Sequence, residues 1–254
     1  ERLGLRVFMT AFGDDDQAAA AADFTFKDLR AGNVAIWANN STDYTRVLSK
    51  LFKRRMEEMG ARIVIEDYFK DSRNDFAPSV QRIKDALPAV QALFLAAVPE
   101  DIAAAVKPLR AAGVNIPVIG GDSFDSDLVS TLGGATSADG VYFTTHAFRG
   151  DTRPEVIEFI QLYKSEYGTV PDNAFAALGY DTVQMIASAV RRAGGTEGAA
   201  LTKALAETVG FKGVTGKISF SRPSRVAVKP VAIVGVKDGK YSVVKTWDPA
   251  AEQK

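Results

Sequence analysis

The sequence predicts an α/β protein built on a doubly wound parallel sheet, followed by a second lobe with few strands of its own. Between residues 16 and 145, five short apolar runs alternate with helical segments. Such alternation is typical of parallel sheets that helices cover on both faces. The chain has 254 residues, of which 46% are hydrophobic and 24% charged, and this is sufficient for a large buried core.

The elements of this first part are indicated by their periodicity and by the residues at their ends. Apolar side chains recur at helical spacing over 44–59, and Gly60 ends that helix. Asp43 is predicted to cap that helix, and Asp125-Ser126 is predicted to cap the helix that starts at residue 126. Asp75 opens a helix that closes before Pro88. The predicted strands are 33–37, 61–65, 92–97, 116–119 and 141–145. The predicted helices are 16–29, 44–59, 76–87, 99–112 and 126–132.

After Gly150 the pattern changes from alternation to a group of helices followed by a group of strands. The predicted helices are 153–167, 175–193 and 201–208, and the predicted strands are 216–220, 231–236 and 241–244. Asp238-Gly239 predicts a tight turn that joins the last two strands into a hairpin. These strands are too few to build a second sheet, so the second lobe is predicted to be incomplete.

Charge and residue counts exclude several classes of function. Lys and Arg number 31, as do Asp and Glu, and a net charge of zero favours neither nucleic acid nor an anionic membrane. The chain has no cysteine and a single histidine, His146, which excludes cysteine nucleophiles, iron–sulfur clusters and sites of two imidazoles. No glycine-rich nucleotide motif follows a strand, and no apolar run reaches the length of a membrane span. We therefore expect no cofactor, no metal, no nucleic-acid partner and no insertion into a membrane.

Candidate binding residues lie where the predicted strands end, because ligands of doubly wound sheets bind beyond the carboxyl ends of the strands. Asp122 follows one strand and admits two interpretations: a carboxylate that pairs with a ligand ammonium, or a local turn or cap. Tyr44 lies in the first turn of a helix, where backbone N–H groups favour anions. Val98 precedes the helix that begins at Pro99, and Phe175 is, by its pattern alone, a core residue.

Gly121-Asp122-Ser123 also matches the sequence block of one class of serine esterases. An esterase needs a histidine base within reach of Ser123, itself oriented by an acid. His146, the sole histidine, ends a predicted strand with no aspartate among its immediate neighbours. The esterase interpretation is therefore kept only as a remote alternative.

The whole chain resembles one family, the type I periplasmic solute-binding proteins of branched-chain amino-acid (Leu/Ile/Val) uptake systems. The order and spacing of seven short stretches carry this resemblance. They are VFMTA at 7–11, AIWANNSTDY at 35–44, DF at 75–76, IGGDSFDS at 119–126, GVYFTT at 140–145, FAALGYD at 175–181 and FKGVTG at 211–216.

The resemblance implies a two-lobed fold of doubly wound sheets in which the chain crosses three times between lobes and closes around a ligand. Residues 12–145 with 231–254 are then expected to form a complete lobe. Residues 1–11 with 146–230 are expected to form part of the other lobe, whose N-terminal segment is expected to be missing here. The chain begins Glu1-Arg2-Leu3-Gly4 without the pattern of a secretory signal, so export implies a signal removed earlier.

The resemblance also implies a function and a set of site residues. The protein is expected to be a periplasmic or otherwise extracytoplasmic receptor, not an enzyme, that captures an amino acid for the membrane permease of an ABC importer. Asp122 corresponds to the residue that pairs with the α-ammonium, Tyr44 to a tyrosine that reaches the ligand, and Phe175 to an aromatic wall. Val98 stands where some members have a tyrosine.

Other functions remain open on the same fold. The replacement of tyrosine by Val98 permits a different ligand, such as an aromatic acid, an amide or a urea-like solute. A ligand-sensing domain of a receptor or regulator shares the architecture, although the sequence has no DNA-binding or membrane segment that favours it.

Overall fold

The computed structural model describes residues 6–221, 223–249 and 251, which form two compact units. We call the unit of residues 14–145 and 233–245 the sheet unit. The described parts of 1–13, 146–232 and 246–254 form the helix unit. Residues 246–254 were expected with the other strands at the end of the chain. Those of them that the structure describes belong to the helix unit, and the final hairpin is divided: its turn end lies in the sheet unit and its open end in the helix unit.

The sheet unit is built on a seven-stranded sheet whose first five strands are parallel, which confirms the predicted doubly wound α/β class. The strands are β1 (Asn33–Asn39), β2 (Arg62–Phe69), β3 (Ala92–Ala96), β4 (Val118–Gly120), β5 (Val141–Thr145), β8 (Val231–Lys237) and β9 (Lys240–Trp247). The order across the sheet is β2-β1-β3-β4-β5-β8-β9.

Helices cover both faces of this sheet because alternate strand residues point to opposite sides. The helices are α1 (Asp14–Asp23), α2 (Asp43–Glu58), α3 (Ala77–Asp85), α4 (Pro99–Ala111), α5 (Leu128–Leu132) and α6 (Ala135–Ala138). Val34, Ile36 and Ala38 of β1 pack with α1 and α2 in one apolar core, where Phe52 stacks on Phe94 at 3.8 Å. From the other face of β1, Trp37 contacts the ring of Phe76 beside α3.

The helix unit contains α7 (Pro154–Tyr167), α8 (Phe175–Ala193), α9 (Gly198–Ala206) and a two-stranded antiparallel sheet of β6 (Phe211–Gly213) and β7 (Gly216–Ile218). One apolar cluster joins Val156 and Phe159 of α7 to α8. A second joins Met185 of α8 to Ile218 and Phe220. No described helix of either unit is long and apolar enough to cross a membrane.

A buried polar cluster ties α8 to the β6–β7 turn in the helix unit. Asp181 accepts hydrogen bonds from the backbone N–H groups of Val214 and Thr215, both at 2.8 Å, and from Thr215 Oγ1 at 2.6 Å. Lys229, which is 1% exposed, donates to Thr215 Oγ1 in turn. Gly213 has no room for a Cβ atom because the Asp181 carboxylate lies against it.

Several element ends differ from the sequence predictions, because short polar residues compete for the same cap. Asp43 was expected to cap α2, but Thr42 does so by accepting from Thr45 N at 3.2 Å. The helix expected from residue 126 begins at Leu128, and Asp127 is its cap. The short strand β6 and the 3-10 turn at Asp122–Phe124 were not predicted.

Candidate functional site

The candidate site lies at the carboxyl edge of the sheet unit, where the order of strands reverses. β1 and β3 are neighbours, but the chain leaves β1 for α2 on one face and leaves β3 for α4 on the other. In doubly wound sheets, this reversal opens a crevice that is a common ligand site. The loops after β1, β3 and β4 meet there.

Asp122 and Tyr44 come together at this edge although they are 78 residues apart in the chain. The Tyr44 hydroxyl donates to Asp122 Oδ1 at 2.7 Å, and both side chains are half-buried. Asp122 begins the 3-10 turn after β4, and Tyr44 lies in the first turn of α2. The carboxylate is thus held by a side chain from another element, and the local-cap interpretation does not account for that bond.

Gly121 makes this pairing possible by having no side chain. A Cβ atom at this position would collide with Tyr44 Oη and lie 2.9 Å from Leu48 Cδ2. Gln17 of α1 lies on the same side, with its Oε1 3.4 Å from Tyr44 Oη. The phenol therefore passes directly over the Gly121 backbone to reach Asp122.

The electrostatic environment of the site is negative. Burial, followed by the nearby Asp122 carboxylate, raises the pKa of Tyr44 well above its ordinary value, so the phenol stays protonated and donates. Burial also raises the pKa of Asp14, and the charges of Asp122 and Asp15 add to that effect. Such an environment favours a positively charged ligand group.

Single side-chain hydrogen bonds link the neighbouring loops along this edge. Asn39 Nδ2 at the end of β1 donates to Asp101 Oδ2 of α4 at 2.6 Å. Ser123 Oγ donates to the carbonyl of Ala97 after β3 at 2.7 Å. These bonds restrict the positions of the loops before any ligand arrives.

At the far side of the site, Thr145 Oγ1 at the end of β5 donates to Asp125 Oδ2 at 2.8 Å. Asp125 was expected to cap the following helix together with Ser126. The structure instead uses Asp125 to join the loop after β4 to β5, because Asp127 stands nearer to the backbone N–H groups of α5 and caps that helix.

The four predicted site residues do not all lie in one unit. Asp122, Tyr44 and Val98 belong to the sheet unit, where Val98 is the residue that precedes α4. Phe175 begins α8 in the helix unit and is 49% exposed, not buried in a core. Its ring meets His146 edge-on at 5.9 Å, and His146 in turn stacks on Phe12 at 3.7 Å.

The local geometry of Ser123 does not favour an esterase. Its hydroxyl donates to the Ala97 carbonyl, whereas an activated nucleophile donates to a general base. His146 is buried in the helix unit against Phe12. In the described parts of the chain, no group of three or more His, Asp or Glu side chains is placed to hold a metal ion.

Four residues of this site were not singled out by the sequence for the contacts that they make: Gly121, Gln17, and the bonded pair of Asn39 and Asp101. The sequence does indicate that Asp101 lies in the first turn of a helix, because it stands two positions after Pro99 and acidic residues are typical of first turns. Its partner Asn39 lies 62 residues earlier in the chain, and no local pattern connects them.

Comparison with known proteins gives consistent matches. A family model described as periplasmic binding protein matches residues 5–240. The Leu/Ile/Val-binding protein homolog 3 of Brucella melitensis biotype 1 is 26% identical over 235 residues, which cover 92% of this chain and 62% of that protein. The chain therefore spans less than two thirds of that relative's length.

Two solved structures have a similar fold and are more than a quarter identical to this chain over the aligned residues. The leucine-binding protein LivK from Thermotoga maritima MSB8 is 27% identical with a TM-score of 0.83, over 95% of this chain and 68% of that one. A solute-binding protein of an ABC transporter from Rhodopseudomonas palustris BisB5, solved with 3,4-dihydroxybenzoic acid, is 26% identical with a TM-score of 0.77. That match covers 95% of this chain and 68% of that one.

Proposed function

The chain belongs to the periplasmic binding protein family, and from this premise we propose that it is an extracytoplasmic receptor that captures an amino acid for an ABC importer. The resemblance seen in the sequence is thus confirmed at the level of the family. The family is one of solute-binding proteins, and we propose no catalytic role for this chain.

The observation that carries the proposal is the Asp122 carboxylate held by the Tyr44 hydroxyl at 2.7 Å. A free amino acid is a zwitterion, and its ammonium must find an anionic partner when it leaves water. A carboxylate oriented by a neutral phenol at the edge of a parallel sheet supplies such a partner. Asp14 and Asp15 strengthen the attraction, because their charges add to the same negative environment.

The ligand that we propose is a branched-chain amino acid or one of similar size. This choice is supported by the names of the relatives, which include a Leu/Ile/Val-binding protein homolog and a leucine-binding protein. Val98 and Phe175 stay predicted contacts to the ligand side chain. Closure of two lobes around the ligand also stays a prediction.

The organisation of the chain follows from the same proposal. We propose that the sheet unit is a complete lobe, because its sheet has seven strands with helices on both faces. The helix unit then contributes part of a second lobe. The membrane permease of an ABC importer is the proposed partner that receives the ligand.

A second ligand class is favoured by one specific observation. Position 98 carries valine where some members have tyrosine, and a similar solved protein was crystallised with 3,4-dihydroxybenzoic acid. We therefore keep an aromatic acid, an amide or a urea-like solute as the alternative. The two classes differ in whether the ligand carries an ammonium group.

Calorimetry on the full-length protein tests the proposal with matched ligands and matched variants. L-leucine and 4-methylpentanoate share the carboxylate and the side chain, but only leucine has the ammonium. We expect leucine to bind and 4-methylpentanoate to bind far more weakly. Asp122→Asn should weaken leucine binding by about 100-fold or more, since breaking a desolvated charge pair costs a few kcal/mol.

Asp127→Ala is the control variant, because it also removes an aspartate from a helix start of the sheet unit, and Asp127 is exposed. It should leave leucine affinity unchanged. Equal affinity of wild type and Asp122→Asn for leucine would defeat the proposal. A response to aromatic carboxylates alone would establish the second ligand class instead.

A further inference from the structure

The Asn39–Asp101 pair lies between two of the predicted ligand contacts. Asn39 ends β1, and the loop that follows it leads to Tyr44. Asp101 lies in the first turn of α4, three residues after Val98. Both side chains are almost fully buried, at 2% and 1% exposure. The hydrogen bond between Asn39 and Asp101 joins the loop after β1 to the helix that follows β3, and β1 and β3 are adjacent strands.

Asn39 makes hydrogen bonds through its side-chain nitrogen, its side-chain oxygen and its backbone carbonyl. Its Nδ2 donates to Asp101, and its Oδ1 accepts from Ser41 N at 2.8 Å and from Ser41 Oγ at 2.6 Å. Its backbone carbonyl accepts from the hydroxyl of Thr45, one residue beyond Tyr44. The position of the Tyr44 backbone is thus connected to Asp101 through Asn39.

Asp101 is more than a helix cap. Its Oδ2 accepts from the backbone N–H of Val98 at 3.4 Å, which is a long bond, and from Asn39 Nδ2 at 2.6 Å, which is a short one. Burial raises the pKa of Asp101; the hydrogen bonds from Asn39 and from the Val98 N–H oppose this rise, and the charges of Glu100 and Asp71 add to it. Burying a carboxylate costs free energy, and the shorter of the two hydrogen bonds to Asp101 comes from Asn39 of β1. This arrangement fits a positioning role better than a capping role.

We propose that Asn39 and Asp101 form a positioning pair that sets the distance between the Tyr44 loop and the Val98 loop, and so the affinity for the ligand. The proposal rests on the proposed function for its effect on binding. Its structural part, the coupling of the two loops, stands independently of any ligand. Neither residue touches the ligand in this scheme; both act through the residues that do.

A reciprocal exchange of the two side chains tests the pair. Asn39→Asp places two carboxylates against each other and should weaken L-leucine binding by about tenfold, because small displacements of a binding group are costly. The double variant Asn39→Asp/Asp101→Asn restores one carboxylate and one amide with the donor reversed. It should bind L-leucine within about twofold of wild type, a rescue that independent effects cannot produce.

Amide hydrogen exchange of the ligand-free protein provides the second measurement. Asp101→Ala and Asn39→Asp should each speed exchange both at 40–45 and at 97–101, and the double variant should reverse the change. If Asp101→Ala does not fold, Asn39→Asp and the double variant still decide the question. Asp127→Ala, which removes an ordinary cap, should change neither segment.

The outcomes separate the two proposals. If the single variants fold with unchanged exchange at 40–45, or if the double variant binds L-leucine no better than Asn39→Asp does, the positioning pair is wrong. If wild type binds neither L-leucine nor another amino acid while exchange couples the two loops as expected, the proposed function fails and the coupling survives. Coupled exchange with unchanged leucine affinity would overturn the link from the pair to binding.

Discussion

The sheet unit and the helix unit bury their apolar residues to very different extents. In β1 of the sheet unit, every residue from 34 to 39 is buried, and helices lie on both faces. On α8 of the helix unit, Phe175 is 49% exposed, Val183 64% and Ile186 42%, and they form one stripe at helical spacing. Burial in the helix unit is instead concentrated in two small apolar clusters and the Asp181–Thr215–Lys229 group.

This difference in burial indicates which changes of pH or sequence affect the stability of each unit. The sheet unit depends on apolar packing, which varies little with pH, and several of its buried polar side chains, among them Asn39 and Asp101, lie at the carboxyl edge. The helix unit holds an ionisable amine in its interior, and the energy of that group depends strongly on protonation. Substitutions that change only the apolar packing or only the buried amine therefore test this difference between the units.

The largest expected effect concerns Lys229. Burial lowers its pKa to about 7 from 10.5, with Asp181 opposing and Arg153 reinforcing the shift. Between these two values the unfolded chain binds more protons than the folded one, so the free energy of unfolding rises with pH. We expect a gain of about 3 kcal/mol from pH 7 to 9.5 at ~1.4 kcal/mol per pH unit.

Lys229→Met leaves an unbranched side chain that is one atom shorter and removes the titrating amine. Urea unfolding at pH 7, 8 and 9.5, followed by circular dichroism, should show this gain in wild type and not in the variant. If the free energies of unfolding of wild type and Lys229→Met depended on pH in the same way, the buried amine would not be the source of the gain.

A smaller effect is expected from adding one methyl group to a glycine of each unit. Gly121→Ala in the sheet unit places Cβ against Tyr44 Oη and Leu48, and such overpacking costs about 1–3 kcal/mol. Gly179→Ala in α8 of the helix unit meets nothing within 4 Å and should stabilise the helix by up to about 1 kcal/mol.

Thermal unfolding of the two variants measures these opposite signs. Leucine binding by Gly121→Ala should also weaken, because Tyr44 can no longer pass over position 121 to reach Asp122. Gly179→Ala is the matched control for binding. Destabilisation by both variants to the same extent would contradict the difference in packing between the two positions.

The smallest effect is expected on the exposed stripe of α8. Val183→Gln and Ile186→Gln remove apolar side chains that are largely in contact with water, so each should change the free energy of unfolding by less than about 0.5 kcal/mol. Chemical denaturation measures this. A loss above about 1 kcal/mol from either variant would mean that the stripe packs against something in this chain.

The elements that sequence reasoning predicted well are those whose signals are local. The strand at 141–145 and the helix at 175–193 are found at the predicted bounds, because apolar residues and a bordering glycine define them: Gly140 precedes the strand, and Gly194 follows the helix. The caps were harder to predict. Thr42, not Asp43, caps α2, and Asp127, not Asp125, caps α5, because the choice between adjacent polar residues depends on backbone angles that composition does not specify.

Only two residues at the centre of the candidate site, Asp122 and Tyr44, were predicted from the sequence, and the bond between them was not. The resemblance identified Asp122 and Tyr44, and strand ends pointed to the same loops. The role of Gly121 could not be predicted, since the need for glycine arises from a tyrosine that approaches from another helix. The pair of Asn39 and Asp101 could not be predicted either. Its two residues meet only because β1 and β3 are neighbours in the assembled sheet, where β2 takes the outer position.

The amino-acid sequence by itself determined the class of fold, the alternation of strands and helices, and the strand ends at which a ligand group can be held. These follow from periodicity and from turn residues, which act over a few positions of the chain. Only the tertiary structure decided which strand ends are neighbours, and hence that Tyr44 orients Asp122 and that Asn39 meets Asp101. Hydrogen bonds reach about 3 Å, so pairs separated by tens of residues exist only once the sheet has assembled.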